Sequence, residues 1–596
     1  LRPTELKEWK MRLQHSHNEF RNAGLIPDEK TGSSQQYSLM RYLDGYRGDF
    51  PRALDGATEM ADQFVGNIMF SIVNSLVSGI SARNPDPIVR PIGGAAADAS
   101  SRRRAWINEQ VIRFLIRERK FKEEVDMSLL SAVLSPFGLV RHGYTPEVEF
   151  EDDNGKLIAR FKNQTPDLPW IQFVRPWQCR IDPMVNSFAP DSEPRWVAFH
   201  NLYFASQIRK NDNLIFRKDL TPTWYQDLRY KEQRDSLNNT PTDDDANVMP
   251  MYEEWMVFDA EDRRVFGISP GSDELIREEA EWPFEWGQLP YSYLAFNPQL
   301  DTPFGISFPS MFYGEQLLYN KIWTIINAMV SRVRRLIVYR KDAFDAGEEA
   351  NLTNPDSIVE AVATIGDPSS VIREVPFGAI DGQLVGLTYQ LKEQIREVLG
   401  VSSFDRGQRA NVETAAEANA ISAGGMMSRG RTQEKFEAYW ANIIRVAHRA
   451  FLQSEDARNM IVPIVGAENL NFLEQSDRER GFLSVNIADL QGEFEYAVRL
   501  DSTLKIDPGV QLSKTASGFN LLGGVQSQLL NQRFYHERIT ELSGEDPQQA
   551  VIGEQVAEGL ARQQQGVEEG GGGAGDMGPV STAQQGLPDI RAIGGS

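Results

Sequence analysis

Residues 302–343 read TPFGISFPSMFYGEQLLYNKIWTIINAMVSRVRRLIVYRKDA. Leu318, Ile322, Ile325, Met329, Val333 and Leu336 recur every three or four positions, with Tyr319, Trp323, Ile326, Val330 and Ile337 alongside. That spacing predicts a long amphipathic helix with a broad apolar face. Ser307 reads as its N-cap with Pro309 in the first turn, and Arg332, Arg334, Arg335, Arg340 and Lys341 gather where the helix dipole favours cations. A helix over residues 310–339 would be a rod of roughly 45 Å, a length that needs packing partners along it.

The rest of the chain must supply them. It has 596 residues, 41% of them hydrophobic, 10% aromatic and 24% charged, the composition of a globular protein with several domains or lobes. A single cysteine, Cys179, excludes an intrachain disulfide framework and fits a reducing compartment. The N-terminal LRPTELKEWKMRLQHSHNEF is charged and helical in pattern and does not read as a signal peptide. A net charge of −22 argues against tight, sequence-independent phosphate binding as the main activity. It is compatible with a surface past which nucleic acid slides without sticking.

Residues 1–82 read as helical, ending in TEMADQFVGNIMFSIVNSLVSGISA (58–82). The uncharged run 63–82 has the length of a membrane span. Asn67, Ser71, Asn74 and Ser78 form a polar stripe at helical spacing, however, so a packed helix is expected and no membrane partner. NPDPIVRP (84–91) forces an extended connection. A second helical block is expected over 101–134, with Trp106, Val111, Phe114, Leu115, Val125, Leu129 and Val133 on its apolar side, and Gly138 and Gly143 bracket a short strand. From about 155 to 298 the pattern is of short strands, at 156–161, 170–174, 196–199, 252–258, 263–268 and 291–296. Asp243–Asp245 lies in a polar loop that reads as a solvated tip rather than a metal site. This region is an α+β lobe.

After the long helix comes an insert over 336–387 punctuated by Pro355, Pro368 and Pro376, with strand-like VIREVPF (371–377). A helix is expected at 388–399, with Leu391, Ile395, Val398 and Leu399 on its apolar side and Gly400 as its cap. The loop VSSFDRGQRAN (401–411) leads to a long helical stretch whose Thr414 and Glu417 have capping-box spacing. Gly424, Gly425 and Gly430 each cost a helix about 1 kcal/mol against alanine, so a kink or break is expected there. Beyond them Phe436, Trp440, Ile443, Ala447 and Phe451 resume a stripe. FEYAVRL (494–500) is expected to return to the β lobe, residues 510–562 to be helical, and the Gly- and Gln-rich remainder to be disordered.

Chemistry is sparse. Gly267-Ile268-Ser269-Pro270-Gly271 matches G-x-S-x-G, a pattern that needs a strand before it and a helix after it. Here it reads as a hairpin turn between 263–268 and 274–279. No phosphate-cradling glycine motif is present. His15, His17, His142, His200, His448 and His536 are scattered, so neither a zinc site nor any cofactor is expected. Catalytic residues: none stand out.

An α+β lobe, a long helix, a small insert, a returning helix, a loop and a long helix with glycines follow one another in that order. This order, with IVRP (88–91), FGLVRHGY (137–144), FVRPWQCRIDP (173–183), LPYSYLAFNP (289–298), FGISFPSMFYGEQLLYN (304–320) and QRANVETAAEANA (408–420), resembles portal (head-tail connector) proteins of tailed double-stranded DNA bacteriophages, of the podovirus type. The resemblance covers roughly residues 55–530. It implies a wing (1–306), a stem helix (307–335), a clip (336–386), a returning antiparallel stem helix (387–400), a tunnel loop (401–411), a kinked wing helix (412–455), wing return strands (456–506), a short helical crown (507–562) and a tail (563–596). The long helical C-terminal barrel of some relatives is not evident.

The function so implied is a homo-oligomeric, dodecameric ring at one capsid vertex, in the virion and assembled in the host bacterial cytoplasm. Double-stranded DNA would pass through it during packaging and ejection. Its other partners would be the major capsid protein and scaffold, the terminase large subunit and head-tail adaptor or tail proteins. It would not be an enzyme. Arg406 and Arg409 on the tunnel loop would contact phosphates in the bore or pair with acidic neighbours between subunits. Arg332, Arg334 and Arg335 would face the channel or brace adjacent stems. Val371, Ile372, Arg373, Glu374, Val375 and Phe377 would form the clip surface that docks terminase and then an adaptor. Two other readings stand beside this one: a different ring-forming virion or tail adaptor, and a serine-type hydrolase using Ser269.

Overall fold

A computed structural model of the chain describes residues 2–25, 38–51, 64–81, 84–92, 98–143, 148–153, 156–161, 169–185, 194–211, 214–215, 220–227, 248–282, 284, 288–300, 302–332, 336–339, 372–375, 382–399, 415–452, 459–463, 482–486, 490 and 492–498. The chain divides at Lys505/Ile506, and every described residue belongs to the first unit. The expected crown and tail, the tunnel loop and Asp243–Asp245 lie outside the described residues.

In chain order come α1 (Pro3–Asn22), α2 (Ser38–Arg47), α3 (Ile68–Ile80), β1 (Pro87–Pro91), α4 (Ala99–Glu118), α5 (Phe121–Leu134) and β2 (Gly138–Gly143). Then follow β3 (Val148–Asp153), β4 (Lys156–Phe161), β5 (Trp170–Val174), β6 (Cys179–Ile181), β7 (Trp196–Tyr203), α6 (Ala205–Lys210), β8 (Trp224–Asp227), β9 (Val248–Asp259), β10 (Arg264–Ile268), β11 (Leu275–Glu281) and β12 (Tyr291–Leu294). The last series is α7 (Tyr313–Arg332), β13 (Leu336–Tyr339), β14 (Ile372–Val375), α8 (Gly382–Val398), α9 (Ala415–Leu452), β15 (Asn459–Pro463), β16 (Phe482–Asn486) and β17 (Phe494–Val498). The fold is mixed helix and strand.

Two antiparallel sheets dominate. The larger runs β11-β10-β9-β7-β6 with β8 also on β9, and the smaller runs β12-β2-β5. The alternation expected of half-buried strands is realised on β7. There Trp196 and Ala198 join Trp9 of α1, Phe266 and Ile268 on one face, while Val197 and Phe199 join Phe258, Phe20 and Phe137 on the other. The main core lies between α3, α5, the β1–β17 ribbon and α9, whose Phe436, Trp440 and Ile443 are fully buried with Val73, Val125 and Leu129. Val446 and Ala450 of the same helix enter the second core. α9 therefore fastens the helical half of the unit to the sheet half.

Several expectations are corrected. The helix expected over 310–339 is a short 3-10 turn (Pro309–Met311) followed by α7, which ends at Arg332. Its 20 residues span about 30 Å, and Leu336–Tyr339 is a strand paired with Ile372–Val375. The N-cap position before Pro309 is taken by Phe308, not Ser307. The block expected over 101–134 divides at Lys120, whose left-handed φ of 51° separates α4 from α5. Residues Phe64–Asn67 are not helical, and Asn67 is the N-cap of α3, its side chain accepting from the Phe70 N–H at 2.9 Å. The remaining polar stripe of Ser71, Asn74 and Ser78 is solvent-exposed. α8 begins at Gly382, within the span assigned to the clip, and its Val398 is 49% exposed. β17 pairs with β1 rather than with either large sheet.

Of the kink or break expected at Gly424, Gly425 and Gly430, a break is absent, because α9 is one continuous helix of 38 residues. The burial of its second half sustains helix where local propensity alone does not. Among the described residues, no helix is long and apolar enough to cross a membrane.

Candidate functional site

The helix–hairpin–helix region is where sequence reading places function. α7 and α8 pack through Ile322, Ile326 and Leu391, with Tyr319, Trp323, Leu384 and Val385 against them. Further along α8, Ile395, and Leu399 just past its end, enter the main core beside Phe308 and Phe312. The hairpin between the helices pairs Leu336 with Val375, Ile337 with Glu374, Val338 with Arg373 and Tyr339 with Ile372. Four of the six expected docking residues, Ile372, Arg373, Glu374 and Val375, are thus consecutive on β14. Val371 and Phe377 lie outside the described residues. Of the channel residues, Arg332 is the last residue of α7, while Arg334, Arg335, Arg406 and Arg409 lie outside. Gly424, Gly425 and Gly430 all fall within α9.

Apolar periodicity misreads one face of α7. Leu318, counted in the expected buried stripe, is 44% exposed, whereas Gln316, Asn320 and Thr324 are 0%, 2% and 3% exposed. At i, i+4 and i+8 they share a helix face. They hold the non-helical segment before α3. Gln316 Oε1 accepts from the Met69 N–H (3.2 Å), Asn320 Oδ1 from the Gly66 N–H (3.1 Å) and Thr324 Oγ1 from the Phe64 N–H (3.2 Å). Gln316 Nε2 donates to the Gly66 carbonyl at 2.7 Å. Gly66 is required by proximity, since a Cβ there would stand 2.6 Å from Tyr319 Cε1. The legible signal was polar residues every fourth position in an otherwise apolar helix.

The sheet lobe buries several charged side chains. Glu254, fully buried, accepts from Arg277 Nε (2.5 Å), Tyr203 Oη (2.9 Å) and Asn201 Nδ2 (3.1 Å). Burial is the largest influence on Tyr203 and raises its phenol pKa. Arg141 lies over the rings of Trp170, Phe199 and Phe258 at 5.0–5.7 Å, and burial lowers its pKa to about 10. On the opposite face Arg180 stacks on Trp255 at 4.4 Å and His200 bonds Glu253 at 2.8 Å. Glu254 and Glu253 thus have their partners within the fold, a network that ties neighbouring strands of the sheet together.

Nucleophiles are similarly engaged. Ser269 is fully buried at the β10–β11 turn with no helix after it, as expected of a turn and not of a strand–nucleophile–helix elbow. His142 Nε2 lies 2.8 Å from Ser292 Oγ, the spacing of a serine–histidine dyad. Ser292 Oγ also accepts from Asn442 Nδ2 at 2.8 Å, both residues are 2% exposed or less, and His142 Nδ1 has no orienting partner. Burial drives His142 down to about 3 and the Cys179 thiol up to about 12, so both stay neutral. Among the described residues no group of three His, Cys, Asp or Glu could hold a metal.

No protein-family model matches the sequence, and no curated protein is similar to it.

Proposed function

We propose that the chain is a bacteriophage portal protein: a subunit of a ring at one capsid vertex that conducts DNA during packaging and ejection. The reading rests on the motif resemblance, and one structural observation carries it further. A helix anchored in the main core (α7) leads to a two-stranded hairpin (β13–β14), and a second helix (α8) returns from the hairpin to pack on the first and re-enter the same core. A stem that projects a clip and returns to a wing requires that sequence of elements. α9 then crosses both cores, as a wing helix should.

In this role the acidic chain disfavours static DNA binding while DNA moves. The clip hairpin, including Ile372–Val375, is the docking element for terminase and later an adaptor, and Arg406 and Arg409 supply local cations at the bore. The protein acts as a conduit, with the energy for packaging supplied by a separate ATPase. An antibody raised against this chain should label a single vertex of purified particles by electron microscopy. Labelling of all vertices, or of the tail alone, overturns the assignment in favour of another virion component.

A further inference from the structure

Phe64–Asn67 is attached to the stem helix in an unusual way. Phe64 and Val65 are 37% and 40% exposed, so apolar burial contributes little to holding the segment. Three hydrogen bonds to Gln316, Asn320 and Thr324, and a tilted Phe64–Trp323 ring contact at 5.3 Å, do most of it, and a fourth bond joins Gln316 to the Met69 N–H in the first turn of α3. The register of the ladder has a single solution. One turn beyond either end of this face the chain has Phe312 and Ala328, neither of which can accept a backbone N–H. The closed arrangement also buries two donors, Asn320 Nδ2 and Trp323 Nε1, that have no acceptor among the described residues. Buried unpartnered donors are costly, so closure works against itself at the point where the ladder grips.

We propose that residues 64–67 form a latch that opens as a unit. It releases the start of α3 from the stem helix while both helices stay folded, and opening exposes the Asn320 and Trp323 donors to solvent. Asn67 is the hinge: its side chain caps α3 through Phe70 and donates to the Tyr46 carbonyl at 3.0 Å, contacts independent of the ladder. Closed, the latch fixes the axial register between α7 and α3. Open, it lets the stem shift against the helical core without either unfolding.

Hydrogen exchange of the full chain, read by mass spectrometry at residue resolution, tests this. The Phe64 and Gly66 amides should exchange at least about tenfold faster than those of Val73 and Leu76 within α3, through an opening insensitive to low denaturant. Thr324→Val should speed exchange at Phe64 and Gly66 together by about tenfold. Exchange of Phe64 and Gly66 only with Val73 at global unfolding overturns the latch, and that wild-type comparison decides the matter even if a variant misfolds. So does an effect of Thr324→Val confined to Phe64.

Discussion

His448 provides a stability measurement whose pH dependence follows from the packing. It lies on α9, 1% exposed, with Nε2 2.5 Å from Asn108 Oδ1 and Nδ1 2.7 Å from Tyr496 Oη. Asn108 Nδ2 donates to the Arg104 and Leu490 carbonyls, which leaves its Oδ1 as the acceptor. Nε2 therefore carries a proton, and in the neutral imidazole that burial favours, Nδ1 accepts from Tyr496 Oη. Burial, and secondarily the Arg449 charge, lower its pKa from 6.5 to about 4. The unfolded chain takes up this proton near the ordinary histidine pKa and the folded chain does not. The contribution is thus complete above about pH 6.5 and is lost as pH falls toward 4, at about 1.4 kcal/mol per pH unit.

The perturbation is His448→Gln, whose side-chain amide can still donate toward Asn108 but does not titrate. Its stability deficit against wild type should be largest at pH 7 and should shrink by roughly 3 kcal/mol by pH 4. Urea unfolding of both proteins at half-unit pH steps reads it. His142, buried in both proteins, contributes a parallel slope that cancels in the difference. A deficit constant from pH 7 to pH 4 would refute the assignment of a neutral, desolvated His448.

Other substitutions test separate parts of the account. Gly430 is exposed within α9, and a Cβ there meets nothing within 4 Å, so Gly430→Ala should stabilise the unit by about 1 kcal/mol in thermal unfolding. Glu254→Gln leaves the Arg277 guanidinium without its carboxylate in the sheet and should cost about 3–5 kcal/mol, measured by urea unfolding at pH 7. Alanine at both Arg406 and Arg409 should reduce DNA packaging and retention in intact particles. Unaltered particles would favour pairing of these arginines with acidic neighbours.

What the sequence made legible follows from what periodicity measures. Phe436, Trp440, Ile443, Ala447 and Phe451 were readable as a buried stripe because a 3.6-residue repeat reports a helix face directly, and all five are buried. β2, β4 and β5 were readable because glycines or β-branched and aromatic residues bound short runs. Leu336–Tyr339 was misread as helix, since a four-residue apolar run has no period of its own and its partner, Ile372–Val375, is remote in sequence. The three glycines of α9 do not end the helix as a break would, because helix propensity yields to burial further along. The ladder on α7 was invisible to a search that counts apolar residues, although its polar members are the buried ones. In the candidate site, the order of helix, small insert and returning helix was legible, and the pairing of β13 with β14 within the insert was not. Which residues of α7 it buries was not, because that depends on a segment some 250 residues earlier in the chain.

The central claim is that copies of this chain close into a ring around a channel. Native mass spectrometry of the purified protein at high concentration, with electron-microscope class averages of the same sample, tests it most directly. The account predicts a closed ring of about a dozen subunits with a central hole, the outcome of a repeating head-to-tail contact. A compact dimer or small oligomer without a hole, persisting at high concentration, would contradict it.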